Sequence, residues 1–362
     1  MRPTPLPSGV LLSHTRWRGL GVSSQRLAGP ELIQAFPGFY TPRADPATLN
    51  ALCFVLQNHV VPGAVISHTT AAVLLGMPVP SWADRGIGLL PPYGDAPRTD
   101  GLFCSVDPAS EPSARRLPIL HARMPGTGRR GTGPGVVLHR KTVDSTVRRG
   151  RLVVSDPIVV LMELATLFDH DEVVIAIDHL LGPGSACPGL TIGGMREALE
   201  RRAGSQGARS ALRALADARP GVESPGETRT RLLLVRAGFP EPIPNFRVRD
   251  PDGGGERRID NAYPGLLLGA EYDGDVHRDK QAWRADQRRQ DSLASIGWDL
   301  RRLTAADIAR PAAFLGGMRR SFLRAGADAP PESNWKGRDA EQALARPRRH
   351  PTRPRRRGTT KR

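Results

Sequence analysis

Residues 256–273, ERRIDNAYPGLLLGAEYD, constrain the fold more than any other stretch of the chain. Two strand-like runs flank Pro264-Gly265, a turn signal, so an antiparallel hairpin is expected. Side chains alternate faces along a strand. With Pro264 and Gly265 at the centre of a two-residue turn, Tyr263 pairs with Leu266 and Asp260 with Gly269. Glu271 then shares a face with Asp260, on the diagonal, at roughly 7–8 Å between Cβ atoms. Asp273 follows on that face, while Leu268, Ala270 and Tyr272 point the other way and need a covering layer. Gly269 leaves room beside the acids for a phosphate. Carboxylates gathered at a strand end form the oxygen donor set with which a divalent cation activates water against a phosphate. The competing reading pairs the same acids with Arg257, Arg258 or Arg289.

The sequence around the hairpin supplies the rest of an α/β module. Ser224-Pro225-Gly226-Glu227 reads as a capping box with proline at the first helical position, opening a helix that stops at Gly238. Glu227 serves there either as the capping carboxylate or as a third acid of the site. Pro244–Arg249 reads as a strand and Trp298–Leu303 as another, with Thr304 capping a further helix. Between them, a helix over about residues 279–296 has positions 282, 286, 289, 293 and 296 on one stripe. Asp286 and Arg289 therefore face the sheet with Ala282, Leu293 and Ile296, and inward charges need partners.

The chain has 362 residues, enough for two or three units with cores, and a net charge of +16. The excess is uneven: from Lys336 to Arg362 there are 11 Lys and Arg against two acids. A Pro/Arg-rich tail of that kind forms no core. It either holds polyanions without reading sequence or is a solvated end without a partner. Nucleic acid is the phosphate polymer such a balance suits. Cys53, Cys104 and Cys187 are far apart, which supports neither a zinc knuckle nor a disulfide framework and fits a reducing compartment. No secretory signal stands at the start. The most apolar run, Arg151–Phe168, is interrupted by Asp156-Pro157 and contains Glu163, so it reads as a strand and a buried helix, not a membrane span.

Residues 8–42 suggest two short helical segments broken at Gly29-Pro30, then an aromatic strand after Pro37-Gly38. That is the outline of a winged helix-turn-helix, or of a plain structural cap. Helices are expected from Ala47 to about Asn58 and from Ser67 to Gly76, with His68 as a capping or packing histidine. Residues 86–155 read as β-rich, and Asp178-His179 as a packing pair. The expected order is a winged-helix-like unit at 1–80, an α+β middle domain at 81–181, and a linker with two helices at 182–221. An α/β/α domain at 222–326 and a basic disordered tail at 327–362 complete it.

The ordered pieces ESPGETRTR, GFPEPIPNF, RIDNAYP and EYDGDVH, followed by Asp286, Arg289, Leu293, Gly297-Trp298 and Arg302, resemble a domain family related to very-short-patch repair (Vsr-like) endonucleases of the PD-(D/E)XK superfamily. The resemblance spans about residues 222–310. It implies a restriction-endonuclease-like α/β core and Mg²⁺- or Mn²⁺-dependent cleavage or nicking of DNA. By position, Asp260 and Glu271 would hold the metal, Glu227 would be the helix acid, and Asp273 and His277 would assist. The superfamily's lysine two residues after the second acid is Asp273 here, and Lys280 is the module's one lysine. GVSSQRL, GFYTP, ISHTTAAVLLGMPVP, SDPIVVLMELA and AIDHLL more loosely resemble the N-terminal part of abortive-infection antitoxin-like (AbiEi-like) regulators. The alternative function this implies is a non-catalytic DNA-binding regulator. Either protein would work in the cytoplasm on DNA, without a membrane.

Overall fold

A computed structural model describes residues 5–80, 118–124, 132, 135–140, 145–249, 255–274, 292–337 and 344. It contains helices and mixed sheets in two compact units, and the chain visits each twice. The first unit takes Met1–Phe168 and Gly184–Leu215, the second Asp169–Pro183 and Ala216–Arg362.

In the first unit, β1 (Leu12–Ser13) runs into α1 (His14–Gly19), and a turn at Gly21 leads to α2 (Ser24–Leu27). Ser13 and Ser23 cap the helices, each hydroxyl accepting an N–H three residues on. β2 (Leu32–Phe36) and β3 (Phe39–Pro42) form a hairpin, and the sheet order is β1-β3-β2. Trp17, Val22, Leu27 and Leu32 pack beneath it, and Trp17 Nε1 donates to the Tyr40 carbonyl at 3.0 Å. The second helical segment expected after Gly29-Pro30 is therefore a strand. The Pro37-Gly38 turn folds Phe39–Pro42 back as its partner, and this pairing outweighs any helical preference of so short a segment.

Thr48 caps α3 (Leu49–Val55), which continues into one π-turn at Leu56–Val60. β4 (Val65–Ile66) passes through Ser67 directly into α4 (His68–Leu74). With β5 (Leu120–Arg123), β6 (Val136–His139), β7 (Thr146–Arg149) and β8 (Leu152–Ser155) it builds a sheet of order β6-β5-β4-β8-β7. β4 is central, antiparallel to β5 and parallel to β8. Gln57 stitches it in, donating to the carbonyls of Ala64 and Val153 and accepting the Val153 N–H. Asp156 then caps α5 (Pro157–Leu164), which is buried along its whole length, Glu163 included. The apolar run is thus a strand and a buried helix, and among the described residues no helix is long and apolar enough to cross a membrane.

The next helix, α6 (His170–Leu181), belongs to the second unit, not to a middle domain with the preceding strands. The chain then returns to the first unit through α7 (Ile192–Glu200) and α8 (Ala208–Asp217), which are structural elements and not a linker. Met195, Leu199, Ala208, Ala211 and Ala214 are fully buried. Gly207 comes so close to α5 that a Cβ would lie 1.9 Å from the Met162 carbonyl oxygen.

In the second unit, Ser224 caps α9 (Pro225–Arg236), whose arginines meet the acids of α6. Arg229 pairs with Glu172 at 2.7 Å, Arg236 with Asp171, and Arg231 with Asp178 at 2.9 Å. Asp178 and Arg231 are each 1% exposed, and Asp178 also accepts from the Arg219 N–H and the Thr228 hydroxyl. Those pairings explain why α6 leaves its sequence neighbours. β9 (Ile243–Arg249), β10 (Glu256–Tyr263), β11 (Leu268–Tyr272) and β12 (Asp299–Leu303) form a sheet of order β12-β11-β10-β9. β9, β10 and β11 are successively antiparallel, and β12 returns parallel to β11. One apolar cluster joins Leu268 and Ala270 to α9 and to α11 (Ala312–Arg324), which follows the short α10 (Ala305–Ala309). A second gathers Ile259, Ala262, Leu293 and Trp298.

The fold continues past position 326. Trp335 is fully buried with its ring 5.8 Å from that of Phe239, and Asn334 donates to the Ala237 carbonyl at 2.9 Å. An expected tail beginning at 327 overlooked that apolar anchor.

Removing one member of a buried ion pair leaves an uncompensated charge. Arg231→Met is expected to cost the second unit roughly 3–5 kcal/mol, and adding Asp178→Asn to restore part of it. Chemical denaturation of the single and double variants checks both; equal stability of the two would contradict it.

Candidate functional site

The strand pairs Asn261↔Ala270, Ala262↔Gly269 and Tyr263↔Leu268 set the hairpin register. The turn is four residues long, with a 3₁₀ turn over Pro264–Leu266 and Leu267 at φ +50°. The register is therefore two residues from the expected one, because proline starts a helical turn here instead of filling a two-residue loop. A slip of two preserves faces, so Leu268 and Ala270 still enter the α9/α11 core. The slip moves Asp260 from the diagonal to a position level with Glu271.

Asp260 does not follow strict alternation. Ile259 and Ala262 sit in one cluster although three residues apart, and Asn245, between the β9 partners of Ile259 and Asn261, has φ +47°. From this irregularity the Asp260 carboxylate accepts the Tyr272 N–H at 2.9 Å, beside Glu271. Glu271 is buried, and its parallel partner on β12 is Arg302. Arg302 Nε lies 3.8 Å from the Glu271 carboxylate, and Nη1 lies 4.0 Å from that of Asp273. Arg302 was not among the arginines expected to pair with these acids; Arg258 also pairs with Glu223.

One expectation changes, and one of the two readings of Glu227 is met. Gly269 provides no opening for a phosphate, because a Cβ there would meet Ile259 Cγ2 at 2.6 Å and Leu300 Cδ2 at 2.8 Å. Glu227 does act as a cap: its N–H donates to Ser224 Oγ, and its carboxylate accepts from the Glu223 N–H at 2.9 Å and Asn245 Nδ2 at 2.6 Å. Asn261 Nδ2 also donates to the Glu227 carbonyl, fastening the start of α9 to β10. His277, Asp286, Arg289 and Lys280 lie outside the described residues. The donors at Asp260 and Glu271 are carboxylate oxygens, which fit Mg²⁺ or Mn²⁺.

A second polar group lies in the first unit. Ser67 ends β4, and its N–H donates to the His121 carbonyl on β5 at 3.0 Å. His68 opens α4 with φ +52°, a left-handed conformation that costs a non-glycine residue of order 1–3 kcal/mol. Its N–H donates to Glu163 Oε2 at 2.6 Å, and its Nδ1 lies 3.0 Å from Ser67 Oγ and 3.7 Å from Glu163. Glu163 also receives Arg123 Nε at 2.5 Å and the Ser155 hydroxyl at 3.4 Å. Burial pushes its carboxyl up to about 7, against the opposing pull of these partners, Arg123 foremost.

β6 brings His139 alongside. His121 Nδ1 and His139 Nε2 are 2.9 Å apart, and the His68 and His139 rings stack at 3.5 Å between centroids and 13° between planes. One ring nitrogen of each of the three histidines lies within 4.8 Å of the others. Burial, with His139 adding to it, holds His121 down to about 3, so that imidazole is neutral at physiological pH. Sequence reasoning treated His68 as a packing residue and did not single out His121, His139 or Arg123. His121 and Arg123 lie on β5, His139 on β6 and His68 at the start of α4, and only the sheet order makes them neighbours.

No protein-family model, curated protein or solved structure matches the chain.

Removing the cap carboxylate would take an acceptor from the Glu223 N–H and from the Asn245 amide, which keeps its bond to the Gly221 carbonyl. Glu227→Ala is expected to cost the second unit roughly 1–3 kcal/mol, read by chemical denaturation; a change within error would show that the cap is dispensable.

Proposed function

We propose that the chain is a metal-dependent endonuclease that hydrolyses or nicks phosphodiester bonds of DNA in the cytoplasm. The observation that carries this reading is the hairpin register that sets Asp260 level with Glu271 on neighbouring strands, with Asp260 accepting the Tyr272 N–H and Arg302 beside Glu271 and Asp273. The order of elements in the second unit supports it too. A helix, three antiparallel strands and a fourth strand parallel to the third suit the restriction-endonuclease-like core that the resemblance to Vsr-like endonucleases implies.

Asp260 and Glu271 would hold Mg²⁺ or Mn²⁺, which when bound supplies Lewis-acid stabilisation of charge on a phosphoryl group. The chain's own residues do the remaining work. The Tyr272 N–H fixes the Asp260 carboxylate, and Arg302 would offset negative charge developing on a phosphate oxygen. Glu227 fastens the helix end to β9 and β10 through Asn245 and Asn261. Asp273, where the superfamily has lysine, offers no positive charge, and Arg302 supplies one beside Glu271 and Asp273.

The short α1–turn–α2 followed by the β2–β3 hairpin supports a winged-helix-like reader of DNA in the first unit, with Ser24 and Gln25 exposed on α2. The net charge of +16 and the arginine-rich C-terminal segment supply attraction to phosphate that reads no sequence.

Plasmid nicking with Mg²⁺ or Mn²⁺ tests the reading. Losing several kcal/mol of charge stabilisation slows a reaction roughly 10²–10³-fold. Asp260→Ala and Glu271→Ala are each expected to lose at least that much, with DNA binding retained. Cleavage that persists in both variants removes the assignment. Wild-type protein that binds DNA and cuts none, with either metal, is instead a regulator of the AbiEi-like kind.

A further inference from the structure

We propose that His68, His121 and His139 bind one divalent transition-metal ion of the zinc class, at a site built from other residues than the acidic one and independent of the endonuclease reading. The three imidazoles are brought together by the order of the sheet. His68 stands where β4 becomes α4, His121 on the adjacent β5, and His139 on β6 next to it. A ring nitrogen of each lies within 4.8 Å of the other two. Ligands 2.0–2.1 Å from a tetrahedral ion are about 3.3 Å from each other. The His121–His139 separation of 2.9 Å needs only a small opening to reach that value. Ligation by both His68 and His139 also tilts their stacked planes apart.

The donor chemistry selects the ion. Three imidazoles suit zinc, cobalt, nickel or copper, and are poor ligands for Mg²⁺ or Ca²⁺. The group contains no cysteine and no carboxylate. Three protein ligands leave a coordination position for water or an exogenous ligand.

The supporting shell is that of a metal site. Histidine ligands are oriented by a carboxylate or other acceptor on the ring nitrogen that does not face the ion. Here Ser67 Oγ and the Glu163 carboxylate lie beside His68 Nδ1. Glu163 is itself held by the His68 N–H, Arg123 and Ser155. The His121 backbone is fixed on both sides, its N–H donating to Thr70 Oγ1 at 2.9 Å and its carbonyl accepting from Ser67. His68 is kept in a left-handed conformation at this spot. Packing alone would be served by apolar rings, whereas burying polar imidazoles is costly unless they find partners.

The test uses the untagged full-length chain, stripped with a chelator and titrated with Co²⁺ followed by visible absorption, then with Zn²⁺ in competition. One Co²⁺ per chain, with the intense bands of four- or five-fold coordination, and its displacement by Zn²⁺ are expected. His121→Gln and His139→Gln should lose the bands, and Glu163→Gln should weaken affinity roughly 10–100-fold. The Asp260→Ala/Glu271→Ala double variant should keep the ion, so failure here and failure of the endonuclease assignment are separable. Where a histidine variant unfolds by circular dichroism, X-ray absorption on wild-type protein loaded with Zn²⁺ replaces it, with three imidazoles expected in the first shell. No binding at micromolar Co²⁺ or Zn²⁺, unchanged binding in folded histidine variants, or a shell of oxygen alone overturns the proposal.

Discussion

The second unit depends on β11 being hydrogen-bonded along both edges, antiparallel to β10 and parallel to β12. A strand held on both sides cannot shift one residue without turning its side chains inside out. Its even positions, Leu268, Ala270 and Tyr272, are thereby given to the cluster under α9 and α11. Gly226 lets α9 come in on that side, since a Cβ there would lie 2.1 Å from the Tyr272 ring. The odd positions, Glu271 and Asp273, meet Arg302, which β12 delivers in register. The placement of these acids beside Arg302 is therefore a consequence of sheet pairing, fixed by the backbone hydrogen bonds between strands.

Local signals in the sequence were reliable where chemistry forces the backbone. Proline and serine at the start of α9, Asp156 before α5, Thr304 before α10 and Gly238 after α9 mark ends that the structure keeps. The hairpin was legible for the same reason, and its two-residue slip left the faces intact. What failed was non-local. Nothing adjacent to α6 in sequence says that its acids answer arginines some sixty residues later, so it was grouped with the strands before it. The segment at Leu32–Phe36 was misread because five residues carry too little periodicity to choose between helix and strand.

The two polar groups differ in how they are held. Around Asp260 and Glu271, the partners include a backbone N–H and Arg302 at the strand ends. Around Glu163, a buried carboxylate collects a helix N–H, a guanidinium and a hydroxyl, and three histidines stand next to it. Such a network has to be satisfied throughout, because each unpaired member in a low-dielectric interior is expensive. Its members are at positions 68, 121, 123, 139, 155 and 163, and no spacing rule links them. It became visible only once β4, β5 and β6 were neighbours.

The double crossing of the chain has an evolutionary and biosynthetic side. No single cut in the gene yields either unit whole. A fragment ending before α6 lacks α7 and α8, and one beginning after α8 lacks α6. The halves therefore cannot have been joined, or be exchanged with other proteins, by simple end-to-end fusion, the usual way in which domains recombine. On the ribosome, α6 emerges before α9, so its acids must wait for the arginines that pair with them. The first unit is itself completed only when α7 and α8 follow, so the two parts of the molecule close in an interleaved order and not one after the other.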